Sequence, residues 1–155
     1  YKVIGTDNDI ELLRKKYSFV FVAIGQIGSS NKRRSIIKNM KNYRFSFPII
    51  KSKYSIVSSD VTINSGTSIG HGVIINPGAK IDDHCIINTK SLLEHDVEIG
   101  KYCHISTGVI INGGVKIGNN SFIGSGAIIR EGLEIPPNSV ISAGKRVMGW
   151  PIMDV

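Results

Sequence analysis

At 155 residues the chain has room for one ordinary domain, or for one domain and a fragment of a second. A formal charge of +7 and a pI near 9.5 suit nucleic acid, an anionic surface or a polyphosphate ligand, although a basic surface kept for solubility explains them equally. No apolar run approaches the ~18 residues that span a bilayer, and the two cysteines lack CxxC spacing; a cytoplasmic setting without membrane insertion is expected.

In chain order, Asp7 to Lys16 (DNDIELLRKK) predicts a short amphipathic helix whose acidic start and basic end suit the helix dipole. Phe19 to Ile24 (FVFVAI) reads as an apolar strand of the kind buried in a parallel sheet, ending at Gly25. A second helix is predicted from about Ser30 to Met40, with Lys32, Arg33 and Arg34 in its first turns. Strand, glycine turn and helix form part of a Rossmann-like nucleotide-binding unit. Within Gly25-Gln26-Ile27-Gly28, residues Gly25 and Gln26 are candidates for substrate binding, but a tight turn explains the glycines as well. The three cations could face a diphosphate, or form a solvated face. Tyr43 to Tyr54 reads as an extended connection, which divides the chain into residues 1–54 and 55–155.

From Val57 to Val147 every sixth residue is Val, Ile or Leu, sixteen in succession. The residue two positions earlier is usually small or modest, as at Val61, Ala79, Cys85, Val97 and Cys103. A helical period of 3.6 cannot hold that register, so the pattern is the hexapeptide signature of a parallel β-helix. Three hexapeptides make one triangular coil, and residues eighteen apart stack at ~4.8 Å. Five coils result. The general preference for right-handed crossovers argues against a left-handed helix, so the period leaves the hand open. The flat sides of such a prism bury poorly alone, which favours a homo-oligomer, with a trimer the first choice.

Four histidines lie in the repeat. His71 and His84 read as structural or solvated. His95 differs because it lies in Leu93-Glu94-His95-Asp96, with Gly113 eighteen residues later. This fold class serves mostly for acyl transfer, which needs a base for the acceptor's proton, a carboxylate to orient the imidazole, and N–H donors for the oxyanion. His95 would be the base, Asp96 or Glu94 the orienting acid, and Gly113 or Gly114 the donor one coil above. A glycine there lets a thioester approach, and no serine or cysteine nucleophile is required. A zinc enzyme would need three convergent histidines, but the spacings of thirteen, eleven and nine provide no close pair on one edge. Cys85 and Cys103, eighteen apart, are expected to be free and buried.

The stretch Ile87 to Gly108 (INTKSLLEHDVEIGKYCHISTG), with Asn112 to Gly118 (NGGVKIG) and Phe122 to Ala127 (FIGSGA), resembles bacterial sugar acetyltransferases of the hexapeptide-repeat family. The resemblance is to the sialic acid O-acetyltransferase and nucleotide-aminosugar N-acetyltransferase type, and it covers residues 57–147. It implies a mainly β protein, a left-handed parallel β-helix preceded by a Rossmann-like segment. It also implies a homotrimer that binds acetyl-CoA between adjacent prisms, with a sugar or nucleotide-sugar acceptor, no metal and no nucleic acid. By the same resemblance His95 is the general base with Asp96 as partner, His104 lines the same site, and the Gly113 amide binds the thioester oxygen. Backbone at Gly114, Ser125, Gly126, Ala143 and Gly144 is implied to track the cofactor. Family members open with a strand and glycine-rich turn that are not found ahead of Tyr1, so part of the first domain is expected to be missing. The function expected is acetyl transfer from acetyl-CoA to the amine of a nucleotide-linked amino-sugar; the alternatives are sialic acid O-acetylation and an inactive scaffold or binding module.

Overall fold

A strict six-residue period leaves two residues for each strand and four for each corner, and this is the geometry of the computed structural model, which describes residues 2–151. Parallel pairs form between residues eighteen apart, so that His104 lies opposite both Ile86 and Phe122. Three ladders result, and the chain is a left-handed parallel β-helix. The first face stacks Ile50–Lys51, Ser68–Ile69, Ile86–Ile87, His104–Ile105, Phe122–Ile123 and Val140–Ile141. The second stacks Ile56–Val57, Ile74–Ile75, Leu92–Leu93, Ile110–Ile111, Ile128–Ile129 and Arg146–Val147. The third stacks Thr62–Ile63, Lys80–Ile81, Glu98–Ile99, Lys116–Ile117 and Glu134–Ile135. Pairing begins at Ile50–Lys51, one hexapeptide before the aliphatic run.

The second residue of each pair points inward, and from Ile69 to Val147 these side chains are almost fully buried. Burying each stabilises the fold by about 1.5–3 kcal/mol. The small residues two positions earlier fill the corners, where a larger side chain would not fit; Val73, Ala79, Cys85, Val97 and Cys103 are all fully buried. From Gly66 to Gly144, the residue three past each inward anchor has φ between 57° and 75°, the left-handed turn of the corner. Glycine usually takes it, but His84, Lys90, Asp96, Tyr102, Asn120 and Asn138 occur there as well.

Cys85 and Cys103 are free and buried, and their thiols donate to the carbonyls of Gly100 and Gly118 at 3.1 and 3.2 Å. Burial pushes the Cys85 thiol well above its usual range, which makes it a poor nucleophile. Thiol titration of the native protein is expected to show little reaction, with two equivalents appearing on denaturation. Rapid native labelling that abolishes activity would defeat this assignment.

The segment before the solenoid has α1 at Ile10–Lys16, after a 3-10 turn at Asp7–Asp9, and α2 at Asn31–Asn42. Phe19 to Ile24 is not the buried sheet strand that its composition predicts. It makes a single parallel bridge, Phe19 to Ser46, and Phe19 remains 67% exposed. A parallel strand is buried by neighbours on both sides, and among the described residues this one has Ser46 alone.

Of the three cations of α2, Lys32 and Arg34 are exposed, as a solvated face would have them, and Arg33 is used differently from either expectation. Arg33 is 1% exposed, and its guanidinium donates to the carbonyl of His84, tying α2 to the corner between the third and first faces. Arg34 lies over the Tyr102 ring, which stacks on His84. Ser30 donates to Asn120 Oδ1 at 3.2 Å and completes the seam. His84 is therefore structural. Burial, reinforced by Lys41, pushes its imidazole down to about 4, so it stays neutral at physiological pH.

Candidate active site

The corner between the second and third faces carries the residues with chemical potential. His95 follows the strand Leu92–Leu93, and Asp96 takes the left-handed corner position at φ 58°. The His95 Nδ1–H donates to Asp96 Oδ2 at 3.0 Å. That bond leaves Nε2 as the ring's free lone pair, the arrangement a general base requires. Glu94 is engaged elsewhere, accepting from Asn76 Nδ2 at 2.8 Å in the coil below. Of the two carboxylates beside His95, Asp96 is thus the one that orients it. In one chain the pair is open, with side chains 65% and 72% exposed.

One coil above, Gly113 lies against the imidazole. A Cβ built on Gly113 would stand 2.5 Å from His95 Nε2 and 2.6 Å from Cε1. A side chain at this position would have to displace the imidazole, whose ring occupies its space. The Gly114 N–H is committed to the His95 carbonyl at 2.9 Å, whereas the Gly113 N–H has no partner among the described residues. Of the two donors open to the sequence, the one left for a developing oxyanion beside Nε2 belongs to Gly113.

The other candidates lie across the second face. Ser125, Gly126, Ala143 and Gly144 stack on the corner between the first and second faces, one coil apart. The N–H groups of Gly126 and Gly144 close the coil ladder onto Thr107 and Ser125 carbonyls. Those of Ser125 and Ala143 have no partner among the described residues. Added side-chain atoms at Gly126 and Gly144 would meet open space, so this corner offers a smooth track of unfilled backbone.

His104 stands on the first face, so within one chain it does not meet His95. It is 8% exposed, edge-on to Phe122, and its Nδ1–H donates to the Gln26 carbonyl at 2.6 Å. Burial lowers its affinity for a proton, opposed by that backbone contact, and Nε2 is a buried acceptor without a partner among the described residues. Gln26 also donates through Nε2 to the Tyr102 carbonyl at 2.7 Å, which makes it a strut between the first segment and the solenoid. Gly25 lines a cavity of about 250 Å³ between Phe21–Gly25 and the first face, together with Ser68, Ile86, Asn88 and His104. Sequence reasoning did not find Asn88 or Ser68; both are short polar residues in an ordinary hexapeptide, without a distinguishing neighbour.

Elsewhere the faces differ in character. The third carries an outward ladder with ion pairs Lys80–Glu98 at 3.5 Å and Lys116–Glu134 at 3.3 Å, along a shallow groove of about 640 Å³. Among the described residues no three His, Cys, Asp or Glu side chains could together hold a metal ion. No helix among them is long and apolar enough to cross a membrane.

A three-faced parallel β-helix built on a six-residue period defines a protein of the hexapeptide-repeat class. The family model described as "Hexapeptide repeat of succinyl-transferase" matches residues 114–146. Among solved structures, the chain is similar to a mutant form of perosamine N-acetyltransferase from Caulobacter crescentus, in complex with CoA and GDP-perosamine. The TM-score is 0.87 at 30% identity, over 95% of this chain and 70% of that one. It is also similar to the acetyltransferase domain of PglB from Neisseria gonorrhoeae in complex with acetyl coenzyme A, with a TM-score of 0.81 and 28% identity over 93% and 69% of the two chains. The chain belongs to the hexapeptide-repeat bacterial sugar acetyltransferases.

Proposed function

We propose that the protein transfers the acetyl group of acetyl-CoA to the amine of a nucleotide-linked amino-sugar, with His95 as general base. The observation that carries this reading is the His95–Asp96 pair, whose free Nε2 lies against Gly113. As the amine nitrogen attacks the thioester carbonyl, Nε2 takes its proton, the Gly113 N–H receives the oxyanion, and collapse expels the CoA thiolate. Asp96 holds the ring in its Nδ1–H tautomer and stabilises the imidazolium. Relatives seen with CoA and GDP-perosamine support an amino-sugar nucleotide over a sialic acid hydroxyl.

The active unit on this reading is a homotrimer. The outward residues of the second face are Ile56, Ile74, Leu92, Ile110 and Ile128, an apolar column that ends in Arg146, with Ile56 66% exposed. By contrast, the middle of the first face, at His104, is covered by the N-terminal segment, although Ile50 and Val140 at its ends stay exposed, and the third face is charged. The second face is flanked on one side by the His95 corner and on the other by the Ser125–Gly126 and Ala143–Gly144 corner. Packing three such faces around an axis brings the catalytic corner of one prism against the cofactor corner of the next. Each pantetheine arm then runs between two prisms, and the cavity at Gly25, Asn88 and His104 opens beside the neighbour's His95. There the free His104 Nε2 can accept from a ligand N–H. Water, which reaches the exposed dyad in one chain, is excluded.

The test is release of CoA thiol from acetyl-CoA with a panel of acceptors. Turnover is expected with a nucleotide-linked amino-sugar and not with the free sugar. Preference for sialic acid would transfer the reading to O-acetylation. Thermal stabilisation by CoA without turnover on any acceptor would reduce the chain to a binding module.

A further inference from the structure

We propose that Gly78 is a positioning residue for acetyl transfer, its missing side chain providing the space in which the Asp96 carboxylate orients His95. The inference rests on the reading of His95 as base. Gly78 lies one coil below Asp96, in the same corner column. A Cβ built on it would stand 2.3 Å from Asp96 Oδ1 and 3.3 Å from Cγ, much closer than van der Waals contact allows. The backbone on both sides is tied: the Asp96 N–H donates to the Pro77 carbonyl at 3.0 Å, and the Gly78 N–H donates to Asp60 Oδ2 at 2.9 Å. The easiest relief for an added atom is therefore rotation of the carboxylate. That rotation breaks the 3.0 Å bond from His95 Nδ1 and frees the ring from its tautomer and direction.

The dyad thus lies between two glycines contributed by adjacent coils. Gly78 below makes room for the carboxylate and Gly113 above makes room for the imidazole. The column is not occupied by glycine merely because its backbone is left-handed, since Asp96 itself takes that conformation. At Gly114, higher in the same column, an added Cβ would meet nothing within 4 Å. Crowding singles out Gly78.

The experiment compares Gly78→Ala with Gly72→Ala, which has nearly the same backbone (φ 65° against 75°) but whose added Cβ meets only Lys90 Cγ, at an ordinary 3.5 Å. Gly78→Ala is expected to lower kcat by about 10- to 100-fold with KM for acetyl-CoA unchanged, as for a small misplacement of a catalytic group. Gly72→Ala should leave kcat as it is. In an Asp96→Ala background, adding Gly78→Ala should cost nothing further, because no carboxylate remains to be displaced. Near-normal kcat for Gly78→Ala, or the same further loss in the Asp96→Ala background, overturns the proposal. If Gly78→Ala folds poorly, recovery of folding on adding Asp96→Ala supports the clash, and failure in both backgrounds refutes it. A His95→Ala variant that keeps its turnover defeats the base assignment itself. An inactive His95→Ala beside a normal Gly78→Ala defeats only the role of Gly78.

Discussion

Replacement of His95 by alanine is expected to lower kcat by ~10²-fold or more while CoA affinity stays nearly unchanged, because a general base acts on the acceptor and not on the cofactor. The geometry makes this a strong expectation. Nδ1 is held by Asp96, Nε2 is free, and the candidate cofactor track of Ser125, Gly126, Ala143 and Gly144 lies across the second face from the imidazole. Asp96→Asn should reduce turnover in the same direction but less far, since it orients the ring without receiving the proton. Steady-state kinetics with a competent acceptor, beside equilibrium CoA binding, decide the matter. Turnover close to normal in His95→Ala would mean that the proton leaves by another route.

Gly113→Val is expected to cost a similar ~10²-fold in kcat, about 2.7 kcal/mol of transition-state stabilisation, with the coil intact. Unlike the corner glycines, Gly113 is not in the left-handed region, so its backbone accepts an ordinary side chain without strain. The cost falls on what lies one coil below it. The first added carbon already collides with Nε2, and valine's methyls add to the displacement while crowding the unpartnered N–H. Gly113→Ala should show much of the loss, since the clash begins at Cβ. Circular dichroism is expected to match the unaltered protein. An unfolded Gly113→Val would identify the glycine as a requirement of the turn, and a fully active one would remove it from the site.

The six-residue repeat determined the solenoid outright, because a branched aliphatic at every sixth position can be buried only if each hexapeptide turns one corner. From the same arithmetic came the stacking of Gly113 on His95 and of Cys103 on Cys85. Two alternatives stayed open in the sequence and closed in three dimensions, for want of information on which hydrogen bonds are already spent. Glu94 is held by Asn76, leaving Asp96 for His95, and the Gly114 N–H is spent on the ladder, leaving that of Gly113. The segment before the solenoid was less legible. Its helices follow from local patterning, but among the described residues Phe19–Ile24 has only Ser46 as a strand neighbour, and Arg33 looks like any surface cation of α2. Burial of Arg33 depends on a carbonyl fifty-one residues away, at a corner where His84 occupies a left-handed position. What periodicity determines is the spacing of side chains along the chain. Which polar groups remain free to do chemistry depends on partners from other coils and from α2, and only the folded arrangement brings these together.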